Sequence, residues 1–583
     1  MSSDPAPPVY GSDVIVDHLI DQGIKYVALN PGASFRGLHD SLVNRPGAPE
    51  LIVCPHEKLA VNLAHGYAKA GGEPMVALLH NVVGLLHGSL GLFSAFLDRT
   101  PVLVLGGCGP MDTERRRPWI DWIHTANIQG DAVRQFTKWD DQPASVAAFG
   151  PSLARARRMA ITEPSGPVYV AFDADLQEAA LTSVPPRVDW RRVGSGSRMG
   201  PDPKALQDAI DRLVIAERPV IVAGYAGRDP AAFDQIPALA EALGAGVVDM
   251  GSRLNIRTTH PLNVTGTKAI EDADVVLLLD MRDLSKALVT VDSATRKTTS
   301  MLAPGATLID IGFNDHQVAS WIHDVGPIHP IDLQITTDTV VALPMLLDGV
   351  RTAIEDEAGA RTTQRETRRA ELAALHAARR QQWREEAQRR WDETPVSPAR
   401  LAAEVGAAIE GSDWVLTAGT ANEWALRLWD FDRAYRHPGR TLGTATQIGL
   451  SLGVALAHRG TGRLVVDLQP DGDLMFDPGA LWVAAAHRIP MLAVMYNNRA
   501  YYNDWEHQIR MADHRGTDRA KAHIGVNIDG PPPNFATLAT SFGWYAEGPI
   551  EDPDAVREAV RRAAKVVLQE GRPALVDVVC AHR

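Results

Sequence analysis

Short apolar runs, each the length of a strand, alternate with segments of helical periodicity from residue 12 to about residue 180. That rhythm restricts the fold more than any other feature of the chain. Residues 12–22 are helix-like, and the run at 26–29 leads into Asn30-Pro31-Gly32. The run at 51–54 ends at Pro55-His56-Glu57, ahead of a helical segment at 59–70. A third run, 75–79, stops at His80, and a helix at 84–96 and a run at 102–105 come next. Short apolar strands separated by helices pair in parallel, with helices on both faces of the sheet. Asn30, Glu57 and His80 each stand where a strand ends, so they share the edge at which open α/β sheets bind ligands.

A chain of 583 residues is too long for one core. Residues 1–180 read as a first domain and 181–200, rich in Pro, Gly and Ser, as a linker. A second α/β domain spans 201–348, with strands at 219–223, 245–248, 275–279 and 307–311. Residues 349–395, dense in Arg, Glu, Ala and Gln, form a charged helical linker. The third domain, 396–583, repeats the grammar of the first, with strands at 414–416, 464–468 and 491–496. The expected class is α/β, three doubly wound parallel-sheet domains.

Composition narrows the partners. A net charge of −13 argues against a nucleic-acid backbone. The three cysteines, Cys54, Cys108 and Cys580, have no metal-ligand spacing. The N-terminus has neither the basic start nor the apolar core of a signal peptide. No apolar stretch is long enough to span a membrane. A reduced, cytoplasmic protein is expected, with no nucleic-acid or membrane partner.

The chemistry concentrates at 469–498. The strand at 464–468 leads to Asp471-Gly472, a helical segment opens at Pro478, and the next strand ends in Asn497-Asn498. A carboxylate and a carboxamide thus stand at the ends of two neighbouring parallel strands. Oxygen donors of this kind suit a hard cation such as Mg²⁺, whose shell is completed by phosphate oxygens. Gly472 lets backbone come close to it.

This unit resembles the diphosphate-binding motif of thiamine diphosphate enzymes. The resemblance implies that Asp471, the Asn498 side chain and the Ala500 carbonyl bind Mg²⁺. Two positions depart from the pattern: Pro470 replaces a usual Gly, and Asp473 replaces a small residue, adding negative charge beside the expected diphosphate. His56-Glu57, followed by His65-Gly66-Tyr67-Ala68-Lys69-Ala70-Gly71, extends the resemblance to the decarboxylase and acetolactate-synthase superfamily over essentially the full chain. The domain order is then pyrimidine-binding, central, pyrophosphate-binding.

The resemblance also implies roles for single residues. Glu57 shares a proton with the aminopyrimidine ring, which promotes a C2-carbanion and enamine route. Ile448 supports the bent cofactor, and the Thr446 carbonyl accepts from its amine. Asn30, Pro31, Gly32, Thr420, Asn422, Gly472 and Asp473 join the cofactor contacts. His80 resembles the active-site histidine of benzoylformate decarboxylase, and His124 stands roughly where benzaldehyde lyases carry a glutamine; both are proton-transfer candidates. Ala33, Ser34, Asn81, Tyr501, Tyr502 and Asp504 are substrate-side candidates.

The expected activity is a thiamine diphosphate- and Mg²⁺-dependent lyase, decarboxylase or carboligase on a 2-oxo acid or 2-hydroxy carbonyl compound. The expected assembly is a homodimer or homotetramer. A 2-hydroxyacyl-CoA lyase is the alternative within the class, suggested by Arg115-Arg116-Arg117. A catalytically silent cofactor-binding relative is the rival outside it.

Overall fold

The computed structural model describes residues 9–194, 196–313, 316, 328–355, 359–419, 421–440 and 445–583. Three parallel sheets organise them. The first contains β1 (Tyr26–Leu29), β2 (Glu50–Val53), β3 (Met75–Leu79), β4 (Val102–Cys108), β5 (Asp140–Asp141) and β6 (Val168–Asp173) in the order β2-β1-β3-β4-β6-β5. β3, β4 and β6 are buried along their whole length, as strands covered on both faces must be. The chain leaves β1 and β3 toward opposite sides, so their ends form a switch-point crevice.

The second sheet has β7 (Pro219–Ala223), β8 (Gly246–Asp249), β9 (Val275–Leu279), β12 (Thr307–Gly312) and β13 (Leu333–Thr336), ordered β13-β12-β9-β7-β8. An exposed antiparallel hairpin, β10 (Val289–Val291) with β11 (Thr298–Ser300), projects from it; nothing in its polar sequence set it apart from a loop. The crevice between β7 and β9 is filled by Arg228, which binds Asp280 and Asp338. The third sheet is β14 (Trp414–Leu416), β15 (Leu464–Pro470), β16 (Leu492–Asn497), β17 (Tyr545–Ile550) and β18 (Ala574–Val579), ordered β14-β15-β16-β18-β17.

Helices that join or brace these sheets include α1 (Glu57–Gly71), α2 (Asn81–Leu97), α3 (Ala360–Gln388) and α4 (Gln447–Ala457). α1 and α4 cross in direct backbone contact, within a core that joins the first and third sheets. A Cβ on Gly66 would lie 2.0 Å from the Leu450 carbonyl oxygen, and one on Gly453 would lie 2.0 Å from that of Leu63. Only glycine permits this approach.

The charged stretch is chiefly α3, which is docked rather than free: Arg368 and His376 donate to the carbonyls of Leu243 and Asn263, each at 2.7 Å. Buried ion pairs tie the first and second sheets. Asp98 accepts from Arg253 at 2.6 Å and pairs with Lys69 and His65. Burial alone would raise the Asp98 pKa, but Arg253, Lys69 and His65 together hold it well below the usual carboxylate range. Among the described residues no helix is long and apolar enough to cross a membrane.

Candidate active site

Two groups of side chains form at sheet edges. The first is built on the crevice of the first sheet. Glu57 opens α1 and is 7% exposed, where the helix N-terminus favours a carboxylate. Gly84 of α2 faces it so closely that a Cβ there would lie 3.1 Å from Glu57 Oε1. The other carboxylate oxygen is 3.2 Å from His87 Nδ1.

His80 ends β3. Its Nδ1 accepts from the Ser34 backbone N–H at 3.4 Å and lies 2.9 Å from Ser34 Oγ. Ser34 Oγ accepts in turn from the Asn81 N–H. With Nδ1 an acceptor, the neutral ring carries its proton on Nε2. Burial, reinforced by His124, lowers the His80 pKa, so the ring is neutral at pH 7. The His124 ring is 5.3 Å from that of His80, and its Nδ1 donates to the Ile120 carbonyl at 2.8 Å. Gly32 sits against His80, where a Cβ would meet the ring at 2.4 Å.

The structure thus gathers Gly32, Ser34, Glu57, His80 and His124. Asn30 turns to the Cys54 carbonyl at 3.0 Å. Pro31 and Ala33 are exposed on the same turn. Ser34 is buried and bound to His80, so it positions the histidine. Asn81 is buried at φ +31°, capping the start of α2.

The second group lines a cavity of about 690 Å³ at the ends of β15 and β16. Asn422, Asp471, Gly472, Asp473, Asn498, Ala500, Tyr501, Tyr502 and Asp504 all border it. Asp471 Oδ1 accepts from the Gly472 N–H at 2.8 Å, and backbone N–H groups of Arg499 and Ala500 also reach the carboxylate. Among the described residues its Oδ2 is buried without a partner, and burial pushes its pKa up to about 6. Asn498 Oδ1 accepts from the Ala500 N–H at 3.1 Å. A bridge pairs Ala500 with Asn527 through the Arg499 carbonyl and the Tyr501 N–H, and so does not consume the Ala500 carbonyl. An orphaned buried carboxylate oxygen beside carboxamide and carbonyl oxygens is the donor set of a hard cation. The residues present therefore fit Mg²⁺ bound to a diphosphate.

Four further candidates have local partners of their own. Asp473 turns its carboxylate away from the role of an added charge at the diphosphate: it accepts from the N–H groups of Ala445 and Gln447 and from Gln469 Nε2. It braces the segment entering α4, where Ala445 has φ +62°. Ile448 is fully buried in the core shared with α1, and Thr446, at 1% exposure, stands at the N-cap position of α4, its carbonyl accepting from the Leu450 N–H at 3.1 Å. Asn422 donates to the Ala418 carbonyl and lies 3.2 Å from His437 Nε2. Thr420 lies outside the described residues.

The arginine run is committed to neighbours: Arg115 to Asp175, Arg116 to the Pro110 carbonyl, Arg117 to Asp121. Sequence reasoning missed His87 and the Lys58–Asp477 pair, 3.0 Å apart. His87 stands seven residues after His80, two helical turns on, which is the one signal that places both on one face.

Three models of one protein family match the chain. "Thiamine pyrophosphate enzyme, N-terminal TPP binding domain" matches residues 9–184, the central domain of the same family 206–335, and the C-terminal TPP binding domain 417–578. A probable chloroplastic acetolactate synthase 2 of Oryza sativa is 24% identical over 98% of this chain and 83% of its own. The acetolactate synthase of Bacillus subtilis is 23% identical over 97% and 92%. Among solved structures, benzoylformate decarboxylase from Polynucleobacter necessarius superposes with TM-score 0.75 at 17% identity, covering 98% of this chain and 99% of that one. A putative thiamin diphosphate-dependent enzyme from Mycobacterium smegmatis gives 0.74 at 20%, covering 99% and 100%.

Proposed function

This chain belongs to the thiamine pyrophosphate enzymes, and from that premise we propose that it is a Mg²⁺-dependent lyase, decarboxylase or carboligase acting on a 2-oxo acid or 2-hydroxy carbonyl compound. The observation that carries the reading is the buried Oδ2 of Asp471, without a partner among the described residues, beside Asn498 and Ala500. Asp471, Asn498 and the Ala500 carbonyl would hold Mg²⁺, and the cavity beside them the diphosphate. When bound, thiamine diphosphate supplies the carbon nucleophile and electron sink that such reactions need.

The protein's own part is proton management. Glu57, buried at a helix N-terminus, would share a proton with the aminopyrimidine. His80, neutral with its proton on Nε2, can donate toward a developing oxyanion. Ser34 fixes the tautomer of His80, and His124 covers its ring. The relatives named acetolactate synthase and the superposed benzoylformate decarboxylase support a 2-oxo acid as substrate. Arg115, Arg116 and Arg117, bound to neighbours, give no support to an acyl-CoA substrate.

Assembly bears on the same chemistry. Every described residue lining the Asp471 cavity comes from 398–583, whereas Glu57, His80 and His124 lie in or beside the first sheet's connections. Apolar side chains stand exposed beside both groups: Leu86, Trp119, Trp122 and Ile123 near the first, Met475, Phe476 and Tyr501 near the second. Two copies that bring the groups face to face would cover both patches, giving a homodimer or homotetramer.

The test is exchange of the C2 proton of bound thiamine diphosphate in Glu57→Gln, with a parallel screen of 2-oxo acids and acyloins. Glutamine keeps the size and a hydrogen bond but cannot share a proton. Exchange should slow by about 10²–10⁴-fold with cofactor still bound. Unchanged exchange would remove Glu57 from the chemistry and favour the silent relative.

A further inference from the structure

We propose that His87 is a proton relay for Glu57, donating through Nδ1 to the carboxylate and exchanging protons with water through Nε2; this rests on Glu57 being the carboxyl group that shares a proton with the aminopyrimidine.

A buried carboxyl group that trades a proton with a ligand needs a route by which that proton is replaced. Glu57 has 9% of its side chain exposed, so water has little direct access. Oε1 faces Gly84, where a Cβ would lie 3.1 Å away. Oε2 is 3.2 Å from His87 Nδ1, within hydrogen-bond reach of a titratable ring. His80 is near enough to feel the charge of Glu57, but its Nδ1 is taken by Ser34.

In a single copy of the chain the His87 side chain is 55% exposed. With Nδ1 turned to the carboxylate, the open edge of the ring is the one that carries Nε2. The ring is also held in place. It stacks on His56 with centroids 5.2 Å apart and planes at 21°. His56 is itself fixed as the cap of α1, its Nδ1 accepting from the Lys58 N–H at 3.1 Å.

The transfer balances. Nε2 takes a proton from hydronium or a buffer acid, leaving water or the buffer base, while Nδ1 gives one to Oε2, so the imidazole ends neutral as the other tautomer. The reverse transfer restores it. No co-reactant is needed beyond water and buffer.

The same three side chains, His56, Glu57 and His87, bring ligand atoms within 4.8 Å of one another, which raises a metal site as the competing reading. The stacking speaks against it. Imidazole lone pairs lie in the ring plane, and two rings stacked at 21° do not aim theirs at one point, as tetrahedral zinc requires.

The experiment has two arms. In cofactor-free protein labelled with ¹⁵N-histidine, the neutral His87 ring should carry its proton on Nδ1. In Glu57→Ala it should lose that preference. In the assembled holoenzyme, His87→Ala should slow C2-proton exchange at least tenfold in a non-transferring buffer, with thiamine diphosphate affinity changed less than threefold. Added imidazole should recover the rate in His87→Ala and leave wild type unaltered; His87→Gln, with its site filled, should be slowed without recovery. A proton on Nε2 in the free protein, unslowed exchange, or slowing that imidazole does not relieve in His87→Ala each overturns the relay. So does micromolar Zn²⁺ that blocks cofactor binding in wild type but not in His87→Ala, which would make the cluster a metal site. If Glu57→Gln itself leaves exchange unchanged, the reading of Glu57 has failed; if Glu57→Gln slows exchange and the His87 variants do not, only the relay has failed.

Discussion

The crossing of α1 and α4 gives a prediction in which one substitution has opposite signs at two places on the same pair of helices. Gly453→Ala puts a methyl 2.0 Å from the Leu63 carbonyl oxygen and 2.5 Å from the Tyr67 nitrogen. Real Cβ contacts stay above 3.0 Å, so the helices must part by about 1 Å. Overpacking costs about 1–3 kcal/mol. Here the obstructing atoms are backbone, which cannot rotate aside, so the upper end applies. Helix propensity returns about 0.5–1 kcal/mol. The net is a loss of about 2 kcal/mol, or roughly 4–8 °C in a domain of 150–250 residues.

Gly71→Ala, at the far end of α1, meets only the Ala457 Cβ at 3.7 Å, so it should be neutral or gain up to about 0.5 kcal/mol. Thermal melts of both variants beside wild type measure the contrast. Because α1 begins at Glu57 and α4 follows the segment braced by Asp473, Gly453→Ala should also weaken cofactor binding. A Gly453→Ala protein as stable as wild type, or a Gly71→Ala protein equally damaged, would refute the backbone-contact argument.

Two further predictions concern buried acids. Burial raises the Asp467 pKa from the ordinary 3.8 to about 7, outweighing its hydrogen bonds with Gln447 and Ser451. A folded-state pKa above the unfolded one gives stability that is complete below pH 3.8 and lost as pH rises through 7; at about 1.4 kcal/mol per pKa unit the loss is roughly 4 kcal/mol. Asp467→Asn should therefore melt higher than wild type at pH 8, with the difference shrinking toward pH 5; an equal gain at both pH values would contradict the cause. Asp98→Ala strands Arg253 and Lys69 in the interface of the first and second sheets, and denaturant titration should show a loss of about 3–5 kcal/mol, whereas a loss under 1 kcal/mol would mean the charges find water.

Much of this fold was legible because its strands are apolar on both faces. The runs at 26–29, 75–79, 219–223, 275–279 and 414–416 coincide with observed strands, since a continuous apolar run between polar ends leaves little choice of boundary. α2 begins at Asn81, three residues before the expected 84, and Asn81 itself has a positive φ that no pattern announces. Val168–Asp173 and Ala574–Val579, both buried throughout, are runs of the same kind that sequence reasoning left unassigned.

The site residues at strand ends could be named from sequence because a parallel sheet puts strand ends on one edge. Their partners could not. That His87 meets Glu57, that Ser34 sets the tautomer of His80, and that Asp473 turns to Ala445 depend on how α1, α2 and α4 pack, which no local spacing encodes.

The central claim is that Asp471, Asn498 and the Ala500 carbonyl hold Mg²⁺ on thiamine diphosphate, and calorimetric titration of the cofactor into the protein addresses it directly. Wild type should bind thiamine diphosphate in Mg²⁺ and lose that binding by at least a hundredfold with EDTA. Asp471→Ala and Asn498→Ala should bind weakly whether or not Mg²⁺ is present. Wild-type affinity in either variant, or binding in wild type that is indifferent to EDTA, would contradict the assignment.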